Sequence, residues 1–473
     1  LTKKLARKKR NLPRFENVLI EDIGSKGKSI VKVDGQVIFV TKALPGDIVD
    51  LQVIKKKKNY LEAIPVTFHK LSDKRTTPFC KHFGVCGGCK WQDLKYSEQL
   101  KYKQQEVIDN FERIGKVSIQ KSNDILPSKN VKYYRNKLEF TFSSQRWFTK
   151  EELDKQEFNK PKQGLGLHTP GRWDKVVDLE ECFLQPSPSN EIRLGIRKFA
   201  LENDFSFFDL RKQEGFLRNL IIRTSSVNEL MVIMIFYYQD KESIEMIMKH
   251  VAETFPEITS LIYMINNKKN DSIYDLEPVV YAGQPYIREE MERIKFKIGP
   301  KSFFQTNSLQ AYELYKLVRK YANLKGNEIV YDLYTGTGTI ANFIAPECKK
   351  IIGIESVPEA IEDAKENATI NDIKNAEFLV GDMKDILNDQ LFEEEGKPDV
   401  IIADPPRAGM HRKVVESILQ ARPEKIVYVS CNPATQARDV NLLKDSYEVS
   451  ELLPVDMFPH TYHVENIVLL TKL

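Results

Sequence analysis

Between residues 15 and about 68 the apolar positions come in short alternating runs, VLIEDI, SIVKV, VIFV, DIVDLQVI and YLEAIPVTF, interrupted at Asp34-Gly35 and Pro45-Gly46. A period of two bounded by turn residues predicts strands, and five short strands predict a small OB-like barrel. Over 94–114 the spacing becomes helical, with Leu94, Leu100, Val107, Ile108 and Phe111 on one stripe. From about 130 to 298 the pattern is mixed: KLEFTF, LIIRTS, LMVIMIFYY, SLIYMI and VVYAG read as strands, and 189–203 and 241–254 as helices. After about residue 300 apolar strands (EIVYDLY, KIIGIE, AEFLVGD, PDVIIADPP, KIVYVSC) alternate with amphipathic stretches beginning near 340, 357, 411 and 433. That rhythm predicts an α/β domain with a mostly parallel, Rossmann-like sheet covered on both faces. The final runs, YEVSELLPVDMF and VENIVLL, are close enough to pair antiparallel at the end of that sheet.

A chain of 473 residues exceeds what one hydrophobic core serves. Three divisions follow from the pattern: 1–70, a basic tail and the barrel; 71–299, a cysteine-containing and mixed α+β central domain; and 300–473, the α/β domain. The helix near 94–114 is expected to pack on the last of these. No run of eighteen uncharged apolar residues occurs, which predicts no membrane span. The opening LTKKLARKKRNLPR is basic with no apolar segment behind it, so no secretory signal and a cytoplasmic location are expected. Net charge is only +4, but basic residues concentrate in this tail and at Lys55, Lys56, Lys57 and Lys58. Such clusters suit a phosphate backbone, and equally a solvated surface.

Candidate chemistry collects at the predicted strand ends, where a doubly wound sheet binds ligands. The first strand runs into Asp332-Leu333-Tyr334-Thr335-Gly336-Thr337-Gly338-Thr339, with Ala341 where a dinucleotide motif would have its third glycine. Glu355 ends the second, about twenty residues on, a position suited to ribose hydroxyls. Gly381-Asp382, Asp404-Pro405-Pro406-Arg407 and Ser430-Cys431 end the next three. Singly, each acid could cap a helix and Cys431 could be a small core residue. YYRNKLEF, residues 133–140, interleaves basic and aromatic side chains, as base stacking or ordinary packing would require. Cys80, Cys86 and Cys89, with Cys182 downstream, form a thiolate set that spacing alone leaves open between zinc and an iron-sulfur cluster.

Taken in order, DLYTGTGT, GIES, DPPRAG, SCNPAT and HVENIVLL resemble the RNA (uracil-5-)-methyltransferase family, whose catalytic domain is a class I S-adenosylmethionine-dependent fold. The barrel resembles a TRAM domain, and the cysteine set resembles the [4Fe-4S] motif of the 23S ribosomal RNA branch. The resemblance implies Cys431 as the nucleophile that adds to C6 of uracil, Glu465 as general base, and Asp404 as a positioning group for uracil or cofactor. It implies S-adenosylmethionine contacts at Gln305, Tyr334, Thr339, Glu355, Asp382 and Asp404, and cluster ligation by Cys80, Cys86, Cys89 and Cys182. Arg407 would face RNA, and Cys348 would simply pack. One departure is Tyr334-Thr335, where the family often carries Cys or Phe-Cys. The implied activity is methylation of a uridine at C5 in 23S rRNA by a monomer; the alternatives are a transfer RNA enzyme and a non-catalytic RNA chaperone on the same fold. A Cys431 at a helix amino terminus is expected to have its thiol acidified.

Overall fold

The computed structural model describes residues 12–155 and 161–473. The basic tail therefore lies largely outside the described residues. The described residues fall into two compact units: one comprises those up to Gly84 with Cys89–Glu106 and His460–Tyr462, the other those of Val85–Gly88, Val107–Pro459 and His463–Leu473.

In the first unit β1 (Arg14–Leu19), β2 (Asp22–Ile23), β3 (Ser29–Val33), β4 (Gln36–Val40), β5 (Ile48–Lys56) and β6 (Leu61–Lys70) form one sheet in the order β1-β5-β6-β4-β3-β2. Alternate positions, among them Val18, Val31, Ile38, Val49, Leu51 and Ala63, supply its core. Six strands appear where five were expected because VLIEDI changes partners midway. The Ile20 N–H bonds to Asp47 O at 2.9 Å, whereas the Glu21 N–H turns to Ile30 O at 3.3 Å. Pro65 is tolerated inside β6 because the β5–β6 register is irregular there, opposite Leu51. The lysine run begins in β5 and continues into the turn beyond it. Helix α1 (Tyr96–Asn110) follows.

The second unit contains two large sheets. After a π-helical turn at Phe111–Gly115 and β7 (Ile119–Ser122) come β8 (Lys137–Ser143), α2 (Lys150–Asp154), β9 (Gly164–Thr169), β10 (Arg172–Asp178), α3 (Ser189–Glu202), β11 (Leu217–Thr224), β12 (Leu230–Phe236), α4 (Lys241–Thr254), β13 (Ser260–Ile265) and β14 (Val279–Gly283). Strands β8–β14 make a central sheet in the order β10-β9-β8-β11-β12-β13-β14, with only β12 and β13 parallel. Of YYRNKLEF, Tyr134, Leu138 and Phe140 are buried and Tyr133 is exposed, so its aromatics serve mainly packing. A hairpin, β15 (Ile287–Met291) and β16 (Ile294–Ile298), leads to α5 (Ser308–Ala322).

The α/β part, whose sheet is the catalytic sheet of the sections below, is built from β17 (Ile329–Leu333), α6 (Thr339–Ile344), β18 (Lys350–Glu355), α7 (Pro358–Ile370), β19 (Ala376–Val380), α8 (Met383–Ile386), α9 (Asp389–Glu395), β20 (Val400–Ala403), α10 (Arg412–Ala421), β21 (Lys425–Ser430), α11 (Pro433–Leu443), β22 (Tyr447–Val455) and β23 (Glu465–Lys472). The order of that sheet is β19-β18-β17-β20-β21-β23-β22-β7. Strands β17 to β21 run parallel, and β23 enters antiparallel beside β21. The expected β22–β23 pair is present, but β7 lies beyond β22 at that edge. The Asn441 side-chain amide donates to Gly115 O, holding the π-helical turn against α11. Strand β17 has β18 on one side and β20 on the other, the point where connections diverge and a crevice opens.

Candidate active site

The crevice at the carboxyl ends of β17, β18, β20 and β21 is a cleft of about 1190 Å³. Gln305, Tyr334, Thr339, Glu355, Asp404, Cys431 and Glu465 all line it. Asp382 is not among the lining residues: its carboxylate caps α8 through the Lys384 N–H (3.2 Å) and accepts from Lys384 Nζ at 2.6 Å.

The loop after β17 is shaped by Gly338, at φ +70°, where a Cβ would lie 2.7 Å from the Ala364 Cβ and 3.0 Å from the Phe378 ring. Asp332, buried at the end of β17, accepts from Thr335 Oγ1 (2.6 Å) and the Ala341 N–H (3.1 Å), and so ties the loop to α6. Glu355 braces the same loop from β18. One oxygen accepts the Gly336 N–H (3.2 Å), and the other accepts the Ser356 and Val357 N–H groups at 2.7 and 3.1 Å.

Strand β20 ends in the Asp404–Met410 loop, which α11 holds in place. Asn432 Nδ2 and Thr435 Oγ1 donate to Arg407 O at 2.9 and 3.2 Å, and Arg438 donates to Ala408 O at 3.0 Å. Asp439, fully buried, accepts from the Met410 N–H and the Tyr428 hydroxyl, both at 2.8 Å. Gly409 sits at φ +77°, and a Cβ there would come within 2.6 Å of the Asp439 carboxylate. Cys431 lies between β21 and α11, with Asn432 as N-cap (Oδ1 to the Ala434 N–H, 3.2 Å) and Pro433 at the first helical position.

The electrostatics reverse one expectation. Despite the helix amino terminus next to it, the Cys431 thiol is pushed up to about 11, first by burial and then by Glu465 and Asp404; Arg407 opposes them. Desolvation and two nearby acids both disfavour the thiolate. Burial raises Asp404 to about 7. Glu465, on β23 and 4% exposed, is raised to about 8 by burial and then by Asp404, with Arg407 again opposing. Burial also lifts Asp332 to about 7, reinforced by Asp404 and Glu355. The buried Tyr315 hydroxyl on α5 is raised by burial and by Asp404, Asp332 and Glu465 in turn. A pocket with this many acids suits a cationic ligand where they are ionised and holds groups able to exchange a proton near neutral pH. Sequence reasoning gives neither Asp332 nor Tyr315 a role in the site. Asp332 is visible as an acid at a strand end, but Tyr315 is an ordinary helix position in sequence.

Residues 224–473 match the family model described as tRNA (Uracil-5-)-methyltransferase, and residues 14–66 match the TRAM domain. The chain belongs to the tRNA (uracil-5-)-methyltransferase family. It is similar, at 57% identity over 95% of this chain and 99% of the relative, to a Bacteroides thetaiotaomicron protein described as an uncharacterized RNA methyltransferase. A Chlorobaculum tepidum protein with the same description is 38% identical over 95% of this chain and 94% of its own length. Among solved structures, Pyrococcus abyssi tRNA (uracil-54, C5)-methyltransferase in complex with S-adenosyl-L-homocysteine superposes with a TM-score of 0.75 at 29% identity, covering 96% of this chain and all of that one. This protein is accordingly an S-adenosylmethionine-dependent RNA (uracil-5-)-methyltransferase with an amino-terminal TRAM domain.

Cys80 and Cys89 belong to one unit, Cys86 and Cys182 to the other, and among the described residues no group of three or more His, Cys, Asp or Glu is gathered as a metal site. Cys86 Sγ accepts the Gly88 N–H at 3.4 Å, the kind of backbone contact that stabilises a ligating thiolate. Cys348 is buried, its thiol pushed up to about 11 by burial, in keeping with packing. Among the described residues no helix is long and apolar enough to cross a membrane.

Proposed function

We propose that this methyltransferase acts on C5 of a uridine in 23S rRNA through a covalent bond between Cys431 and C6 of the base. The observation that carries the reading is the sharing of one cleft by Cys431, Glu465 and Asp404. Uracil C5 is a poor nucleophile. Addition of the Cys431 thiolate to C6 moves the ring electrons to C5 and O4, and C5 then forms the new carbon–carbon bond. S-adenosylmethionine would supply the methyl group, its methyl–sulfur bond breaking to leave S-adenosylhomocysteine as a neutral thioether, and ionised acids nearby would suit its sulfonium charge. The ionised Glu465 then takes the C5 proton, and the returning electron pair expels Cys431 as thiolate. A carboxyl raised to about 8 is a stronger base than a solvated one. Arg407 draws the thiol and Glu465 towards their charged forms. Asp404, with burial its only shifting influence, orients uracil or cofactor. Gln305, Tyr334, Thr339 and Glu355 contact the cofactor, and Asp382 joins them if its cap on α8 opens.

The TRAM barrel and the four-cysteine spacing support ribosomal RNA as substrate. A transfer RNA substrate is the second reading, favoured by the full-length likeness to the Pyrococcus enzyme. Labelled S-adenosylmethionine offered with 23S rRNA or with transfer RNA from a strain lacking the gene separates them: label is expected in 23S rRNA as 5-methyluridine. Cys431→Ala is expected to abolish transfer by at least about a thousandfold while RNA still binds. Surviving activity would exclude the covalent route.

The same proposal takes Cys80, Cys86, Cys89 and Cys182 as ligands of a [4Fe-4S] cluster with a structural role, in a monomer of the cytoplasm. Protein purified without oxygen is expected to carry about four irons and a broad near-ultraviolet absorption that Cys182→Ser removes. Zinc in their place would refute this part alone.

A further inference from the structure

The cleft extends beyond the groups assigned to cofactor and target base. Its volume, about 1190 Å³, exceeds the ~300–1,000 Å³ of an ordinary small-molecule pocket. On one flank the lining comes from the β13–β14 connection and the segment before α5: Tyr274, Asp275, Pro278, Lys301 and Phe303. Tyr274 is 63% exposed and Phe303 61% exposed, an unusual state for aromatics that face a cleft.

The backbone beneath Tyr274 is held firmly. Arg218 on β11, only 1% exposed, donates to Asn266 O (2.7 Å), Lys268 O (2.6 Å) and Asn270 O (2.8 Å) and pairs with Asp271 at 3.0 Å. Lys268 ties the loop internally to Ser272 O (2.9 Å) and to Asp275. Lys301 reaches back to Tyr274 O at 3.1 Å and Leu276 O at 3.0 Å. At the other end of β11, buried Arg223 grips Gly299 O and Ser302 O at 2.5 and 2.6 Å, fixing the segment that presents Phe303. Burying two guanidinium groups is costly unless their donors are used, and here they hold the two loops that carry exposed rings. A ring carried on a backbone held in this way and left open to solvent leaves less chain to order when a flat partner stacks on it.

We propose that Tyr274 is a stacking platform for a nucleobase flanking the target uridine, and so a residue that determines RNA specificity. The inference rests on the reading of the cleft as an RNA methylation site. Nucleobase rather than cofactor is the occupant because the cofactor positions Glu355, Thr339 and Asp404 lie on the catalytic sheet and its loops and Gln305 just before α5, whereas Tyr274 belongs to a connection of the central sheet, which supplies none of them. A target base drawn out of its stack leaves a neighbour without a partner, and an aromatic side chain accepts any base because every base has a π face.

The test uses the full-length protein, S-adenosylmethionine, and total RNA from a strain lacking the gene as methyl acceptor, with wild type, Tyr274→Ala, Tyr274→Phe and Lys301→Met compared. Tyr274→Ala is expected to raise KM for RNA about tenfold, the loss of one stacked base. Tyr274→Phe, which keeps the ring, is expected to stay within about twofold of wild type. Lys301→Met, which frees the loop without removing the ring, is expected to fall between them. The dissociation constant for S-adenosylmethionine and the melting temperature of the Tyr274 variants are expected to stay at wild-type values. A weaker hold on S-adenosylmethionine in Tyr274→Ala would assign the ring to the cofactor and overturn the inference. An unchanged KM for RNA in Tyr274→Ala would also overturn it, while leaving the enzyme reading intact if wild type methylates. A wild type that methylates no RNA would overturn both.

Discussion

At the scale of single residues the acids around Cys431 make the protein's pH response predictable. Glu465 moves from about 4.5 when unfolded to about 8 when folded, so the native state binds its proton more tightly than the unfolded chain does. Between those values the native state carries the extra proton, and stability falls as pH rises; the contribution is complete below the unfolded value and gone above the folded one. Asp332 and Asp404, raised to about 7, act in the same sense. Each group contributes a slope of up to about 1.4 kcal/mol per pH unit. Denaturant midpoints of the cofactor-free protein are therefore expected to drop between pH 5.5 and 8.5. Glu465→Gln is expected to flatten that slope and to be the more stable form at pH 8.5. An equal slope in variant and wild type would show that Glu465 is not buried as a neutral acid. In catalysis the same variant is expected to accumulate the Cys431–RNA adduct, visible as a slower band in denaturing gels, because the C5 proton then lacks its acceptor.

At the scale of elements the notable arrangement is the service that α11 performs for the loop after β20. The helix that begins beside Cys431 also fixes, through Asn432, Thr435, Arg438 and Asp439, the segment carrying Arg407. Cys431 and the Arg407 guanidinium are thereby positioned by the same helix. Asp439→Ala strands the Tyr428 hydroxyl and the Met410 N–H, both buried, at a cost of about 1–3 kcal/mol for each. Urea denaturation is expected to show that loss. Because Asp439 lies behind the loop, kcat is expected to fall well below wild type while the affinity for S-adenosylmethionine changes little. An unchanged kcat would mean that the loop holds its shape without the helix.

At the scale of the whole molecule, two large sheets of the second unit share one core, running from Ile221, Met231 and Ile262 to Val330, Ile402 and Val429. The first unit has a core of its own, and its run of adjacent positive charge lies at Lys55–Lys58. Replacing these four lysines by Gln in the full chain is expected to weaken RNA binding. The slope of log affinity against log salt is expected to fall by about one for each phosphate no longer neutralised, ~0.7 if the bound strand is single. An unchanged slope would identify the run as solvated surface.

The sequence by itself determined the alternation of β17 to β21 with α6, α7, α10 and α11, though not α5, α8 or α9, together with the glycine loop, the acids at the strand ends and the thiol, since each depends on local periodicity or on a residue type that only certain backbone positions accept. KIVYVSC reads as a strand followed by a capped helix whether or not the rest of the chain is folded. Only the tertiary structure decided that β7 closes the edge beside β22, that VLIEDI is shared between two neighbours, and that Arg218 and Arg223 are buried beneath exposed aromatic loops. It also decided that Cys431 is a reluctant acid rather than an activated one. The physical reason is common to these cases: pairing across long separations and the removal of water from a charged group depend on which distant residues arrive nearby, and no local pattern encodes that.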